Sequence, residues 1–221
     1  MNERKQSKVP VYIVGSIVFV FFVIGIISTI SFFSGRIKDS HLEKVNAANA
    51  EYTAFITPLI MNDPAYFDDV SVASQEELLT VAIWSILQDD PDPNAYEYTR
   101  DGRIMIPSKQ VEESYHRLFG ESAVFKAVTV SSGGIEFKYN KSKDSFIIPI
   151  TGITPIFSPR ITGTKREGDR TILTVDCLST TAHTVDKYGN DVPPEPSKTV
   201  RITLINSPDG SYHISALQAV N

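Results

Sequence analysis

Ile135–Ile150, IEFKYNKSKDSFIIPI, decides the fold class, because here the periodicity of the chain is plainly two. Ile135, Phe137 and Tyr139 alternate with Glu136 and Lys138, and Phe146, Ile148 and Ile150 answer them across Asn140-Lys141-Ser142-Lys143-Asp144. A period of two places these apolar side chains on one side of a strand, so the stretch predicts a hairpin with a single buried face. The drop to strand-like spacing starts near Ala123, and most of the chain before it is spaced as helix.

Two more hairpins lie downstream. Ile161–Lys165 and Thr171–Leu178 flank Arg166-Glu167-Gly168-Asp169, and Val200, Ile202 and Leu204 face Tyr212, Ile214 and Ala216 around Ser207-Pro208-Asp209-Gly210. The second turn is strongly marked, since Pro fixes φ and Gly supplies positive φ. Thr180–Lys198 joins these hairpins and reads either as a protruding hairpin tip or as an ordered loop. Ser131-Ser132-Gly133-Gly134 reads as a turn; it neither follows a strand nor leads a helix, so it gives no support for phosphate binding.

Upstream, Ser40-His41-Leu42-Glu43 has the capping-box pattern, and Leu42, Val45, Tyr52, Ile56 and Leu59 continue at mostly helical spacing, with Asn49 interrupting. Pro58 is expected to kink or end this helix, and Asn62-Asp63-Pro64 to stop it. Ser74-Gln75-Glu76-Glu77 is a second capping box. It opens LLTVAIWSIL, apolar nearly all round and therefore a central buried helix, with Trp84 as a packing anchor. Gln88–Asn94, QDDPDPN, is a loop; it lacks the ligand order, turn glycine and distal glutamate of a calcium-binding EF-hand. Asp101-Gly102, between Tyr96–Tyr98 and Ile104–Ile106, predicts a small hairpin. From Ser108 a third, amphipathic helix puts Val111, Tyr115, Leu118 and Phe119 on one stripe and stops at Gly120.

Ahead of all this, Val11–Phe33 is a run of 23 residues without a charge. As a helix it would reach about 35 Å, enough for a hydrocarbon core of roughly 30 Å. It is expected to be a membrane anchor, with residues 1–10 a short basic cytoplasmic head and residues 34–221 an outer domain. Arg4, Lys5 and Lys8 precede the run and Arg36 and Lys38 come after it, a bias that favours a cytoplasmic N-terminus. A cleaved signal peptide would have a shorter apolar region and a clearer small-residue site than SFFSGR offers. The expected location is the cell membrane, single-pass, with the C-terminal domain outside.

The chain carries 21 Lys and Arg against 26 Asp and Glu; with three basic and one acidic residue in the first eight, the rest holds 18 against 25. An acidic outer domain is a poor binder of nucleic acid. The single cysteine, Cys177, rules out an intramolecular disulfide and leans toward a bacterial surface protein. Asn140-Lys141-Ser142 fits a glycosylation sequon that would matter only in a eukaryotic secretory pathway.

Helices first and a meandering antiparallel sheet last is the pattern of an α+β fold with helices packed on a curved sheet. With the capped helix Ser74–Leu87, the hairpin Tyr96–Ile106, the helix Ser108–Phe119 and the hairpins from Ile135 to Val220, the order resembles the nuclear transport factor two-like superfamily, a cone of helices with a bent sheet. A single-pass anchor ahead of such a cone is also similar to membrane-anchored assembly subunits of bacterial secretion and conjugation machines, and to some sporulation and envelope proteins. The resemblance is architectural and transfers no functional residue. It implies self-association through the sheet as one mode of assembly.

For chemistry the sequence offers His116, His183, Asp176 and Cys177. Alternation along Thr171–Leu178 puts Cys177 with Leu173 and Val175, the position of a small buried hydrophobe, and Asp176 on the other face with Ile172 and Thr174. A Cys177–His183 nucleophilic pair and an Asp176–His116 acid–base pair are conceivable, but His116 lies off the apolar stripe, where exposure is the simpler expectation. No P-loop, zinc-spaced Cys/His set, GxSxG or HExxH occurs. No catalytic, metal or cofactor residue is therefore assigned. The expectation is a non-catalytic, membrane-anchored interaction or assembly module of a cell envelope, contacting the bilayer through Val11–Phe33 and other envelope proteins through the outer domain. The alternatives are a ligand-binding or sensory domain using the cone interior, and an enzyme of the cone family requiring an inward-facing Asp176.

Overall fold

The computed structural model describes residues 40–89, 96–132, 134–149, 155–181, 184–185, 191–192 and 194–220. The apolar run Val11–Phe33, His183 and most of the QDDPDPN loop lie outside these. No helix among the described residues is long and apolar enough to cross a membrane.

The domain is α+β. Among the described residues three α-helices, α1 (Ser40–Asn62), α2 (Gln75–Asp89) and α3 (Ser108–Phe119), accompany two larger antiparallel sheets. The first sheet has the order β1-β2-β5-β4-β3, formed from β1 (Glu97–Tyr98), β2 (Ile104–Pro107), β3 (Val130–Ser132), β4 (Ile135–Asn140) and β5 (Ser145–Ile148). The second has the order β11-β10-β7-β6, from β6 (Phe157–Glu167), β7 (Arg170–Ser179), β10 (Pro196–Asn206) and β11 (Tyr212–Ala219). The short pair β8 (Thr184–Val185) and β9 (Asp191–Val192) forms a separate hairpin.

The single curved sheet read from the sequence is thus two sheets. After β5, both of whose edges are taken by β2 and β4, the chain does not pair with the outer strands β1 or β3 but starts a second sheet in which β6 pairs with β7. The hairpins pair as anticipated at Tyr139 opposite Phe146 and Leu204 opposite Ile214, but Ala216 lies opposite Thr203 and not on the face of Ile202 and Leu204, because the register shifts between Thr203 and Leu204. Ser131-Ser132 does end a strand, β3, although β4 and not a helix comes next. The Thr180–Lys198 connection carries the small β8–β9 hairpin, and β10 begins within it at Pro196.

Pro58 does not end helix α1, which runs on to Asn62. Beside the missing proline N–H, the Thr57 hydroxyl donates to the Thr53 carbonyl at 2.6 Å, and Asn62 Nδ2 donates to the Pro58 carbonyl at 2.7 Å. Asp63 then turns left-handed (φ 47°) and Pro64 comes next, which stops the helix. At α2, Ser74 Oγ accepts from the Glu77 N–H at 3.4 Å as a cap should, but the Glu77 carboxylate accepts from the Ala65 N–H at 3.1 Å, tying the helix start to the preceding loop.

One contiguous core joins the layers: Leu79 and Ile83 of α2, Val111 and Leu118 of α3, Phe137, Phe146 and Ile148 of the first sheet, and Leu173, Val175, Val200 and Ile202 of the second. Trp84 meets Phe137 edge-on at 5.6 Å between centroids, the packing role anticipated for it. Ser114 Oγ donates to the Ala82 carbonyl at 3.0 Å, and Arg117 reaches Ser85 Oγ at 2.6 Å, fastening α3 along α2.

Candidate functional site

A cleft of about 550 Å³ opens between the β10–β11 margin, the end of α3 and the 68–75 segment. Its floor is set by strand register. Arg170 lies opposite Ile205, and Ile205 opposite His213, so the three side chains share one face in a row across β7, β10 and β11. Thr203 and Ala216 form the next pair of that face. Between them and the first row the register shifts at Ser215, whose hydroxyl donates to the Thr203 carbonyl at 3.2 Å. This bulge is what allows His213 and Ala216, three residues apart, to point the same way. The opposite face carries Leu173, Val175, Ile202, Leu204 and Ile214, all in the packed core.

The helical side of the cleft comes from Tyr115 and Phe119 of α3 and from residues 122–124. Gly120, at φ 85°, lets the chain leave α3 directly over the His213 ring. Burial depresses the His213 imidazole below its ordinary range, favouring the neutral ring.

Most polar groups of the cleft are already engaged. Asp69 accepts from the Ser71 N–H at 2.8 Å and hydroxyl at 2.6 Å, which lowers its carboxyl; Asp68 accepts from Gln218 Nε2 at 2.6 Å; Gln75 Nε2 donates to the Val124 carbonyl at 2.8 Å. Five side chains remain. Arg170, His213, Tyr115, Ser122 and Thr203 make no side-chain hydrogen bond among the described residues, although Arg170 acts at longer range on Glu167. The cleft therefore combines spare donors with two carboxylates, Asp69 satisfied by Ser71 and Asp68 engaged by Gln218 through one oxygen only.

The residues singled out from the sequence are elsewhere. Asp176 is nearly buried on the face away from Leu173 and Val175, where Arg160 Nη2 and Nε donate to its Oδ2 at 2.6 and 3.2 Å and Thr199 Oγ1 donates to Oδ1 at 2.9 Å. His116 is half-buried, not exposed; its Nδ1 donates to the Gly120 carbonyl at 3.2 Å and closes the end of α3. The Asp176–His116 acid–base pair is not assembled, because each group is held by its own neighbours. Cys177 is buried in the core as expected, and burial pushes its thiol up to about 11. No group of three or more potential metal ligands occurs among the described residues.

His213 and Arg170 were not singled out from the sequence. Alternation around Tyr212 and Ile214 does place His213 on the other strand face, but 42 positions separate it from Arg170, and only the shared partner Ile205 brings them into one row.

Compared with known proteins, the chain matches no protein-family model, no curated protein and no solved structure.

Proposed function

We propose that the chain is a membrane-anchored interaction or assembly module of a bacterial cell envelope, acting by binding and not by catalysis. The observation that carries this reading is the uncharged run Val11–Phe33, preceded by a basic head and followed within seven residues by the first helix of a folded domain. The fates of the reactive side chains support it: Asp176 is spent on Arg160 and Thr199, Cys177 on the core and His116 on the end of α3. The order of elements supports reading the domain as a variant of the cone-shaped superfamily with its sheet divided in two.

The test uses the full chain in intact cells. Cys177 is buried, so single cysteines introduced by Ser7→Cys and Lys141→Cys report topology against a silent background. A membrane-impermeant maleimide should label Lys141→Cys at once and Ser7→Cys only after lysis; the reverse pattern overturns the orientation, and release of the protein by carbonate overturns the anchor. Crosslinking then compares the native chain with one whose Val11–Phe33 is replaced by an unrelated span. The same envelope partners captured by both assign the interaction to the outer domain, and capture of none by either sinks the assembly role.

A further inference from the structure

We infer that the cleft between the β10–β11 margin and the end of α3 binds a small ligand bearing a carboxylate, its oxyanion at Arg170, its body along Ile205 to His213 and its opposite end, carrying hydrogen-bond donors, toward Asp68. This goes beyond the proposed function and does not depend on the anchor.

Unmade hydrogen bonds define the complement of the cleft. Asp69, Gln75 and Ser215 all spend their hydrogen bonds internally, on Ser71, Val124 and Thr203. The unengaged groups are donor-rich: the Arg170 guanidinium, the hydroxyls of Tyr115, Ser122 and Thr203, and the His213 ring. An acceptor-rich, anionic group is the complement of such a set. Arg170 presents a planar fork that matches a carboxylate with two parallel hydrogen bonds. A doubly charged phosphate fits less well, because Arg170 is the only Lys or Arg lining the cleft among the described residues, while Asp68 and Asp69 line it too. Ile205 sits between Arg170 and His213 as an apolar floor, and the row spans about 10 Å, two strand spacings. The volume of about 550 Å³ admits a ligand of that length. At the far end, Asp68 keeps its second carboxylate oxygen for an ammonium or hydroxyl, since Gln218 engages only Oδ1.

The carboxylate could belong to a free acid or to the C-terminus of a peptide, so the probes are acetate, free alanine, trialanine and trialanine amide. Each is titrated into the full chain in nanodiscs by calorimetry, with the His213 ring resonance, assigned through His213→Gln, as the local readout. Expected are saturable binding of at least one carboxylate, a shift of the His213 resonance, and a loss of about 10- to 100-fold for the amide and for Arg170→Gln. Arg201→Gln, an exposed arginine outside the cleft, should leave binding unchanged. Binding of acetate or alanine as tight as that of trialanine identifies the free-acid source, and tighter trialanine the peptide end. Lack of saturation by all carboxylates up to about 10 mM, a concentration that reaches even weak specific sites, overturns the proposal. So does equal affinity for trialanine amide, or for a folded Arg170→Gln.

Discussion

Gly120 faces the His213 imidazole so closely that a Cβ on Gly120 would lie 2.8 Å from His213 Cδ2. The glycine is also at φ 85°, where an L side chain is strained whatever space it has. Gly120→Ala should therefore cost about 1–3 kcal/mol, the φ penalty and the clash adding. In urea unfolding, His213→Ala placed in the Gly120→Ala background should recover the clash and leave the φ penalty. An unchanged midpoint for Gly120→Ala alone would show that the end of α3 repacks freely.

The neutral His213 ring makes stability depend on pH. Its folded value lies below the ordinary 6.5 because burial disfavours the charged form. As pH falls through about 6.5 the unfolded chain binds the proton first, so stability is lost from there downward, until the folded ring also protonates. His213→Gln should flatten this part of the profile between about pH 7.5 and 5.5, a difference read from paired urea titrations.

Asp176 is held from both sides, and the two holds differ in strength. Arg160, whose side chain is 40% exposed, donates twice to one carboxylate oxygen and Thr199 once to the other. Arg160→Gln should cost about 1–2 kcal/mol after allowance for solvent screening, and Thr199→Val about 1 kcal/mol. Asp176→Ala should exceed either, since it removes all three bonds; a smaller effect would mean that the strand face is fastened by something else.

Cys177 should resist thiol reagents in the folded protein and react on unfolding. With the thiol near 11 against 9.0 in its ordinary state, the folded chain keeps a proton that the unfolded chain releases, so stability declines as pH rises from about 9 to about 11. Cys177→Ala should cost about 1 kcal/mol at neutral pH through the lost sulfur and lack the Cys177 share of the alkaline decline. Rapid labelling of native Cys177 would contradict its burial.

Local pattern alone determined a great deal of this molecule. A capping box at Ser74 and 3.6-residue spacing placed α2, an amphipathic stripe ending at Gly120 placed α3, and period-two alternation with turn residues placed the hairpins, because these signals are set by neighbours within a few residues. The same alternation separated Cys177 from Asp176 onto opposite faces of β7. Tertiary structure decided the rest. Pro58 stayed inside α1, where it is buried, and tertiary packing overrode its helix-breaking tendency. The strands divided between two sheets, β6 pairing with β7 and not with the outer strands β1 or β3 of the first. The row Arg170–Ile205–His213, the bulge at Ser215 and the approach of Gly120 to His213 join residues distant in the chain. Such contacts are fixed by strand register and by packing across the core, and no local preference of the chain encodes either.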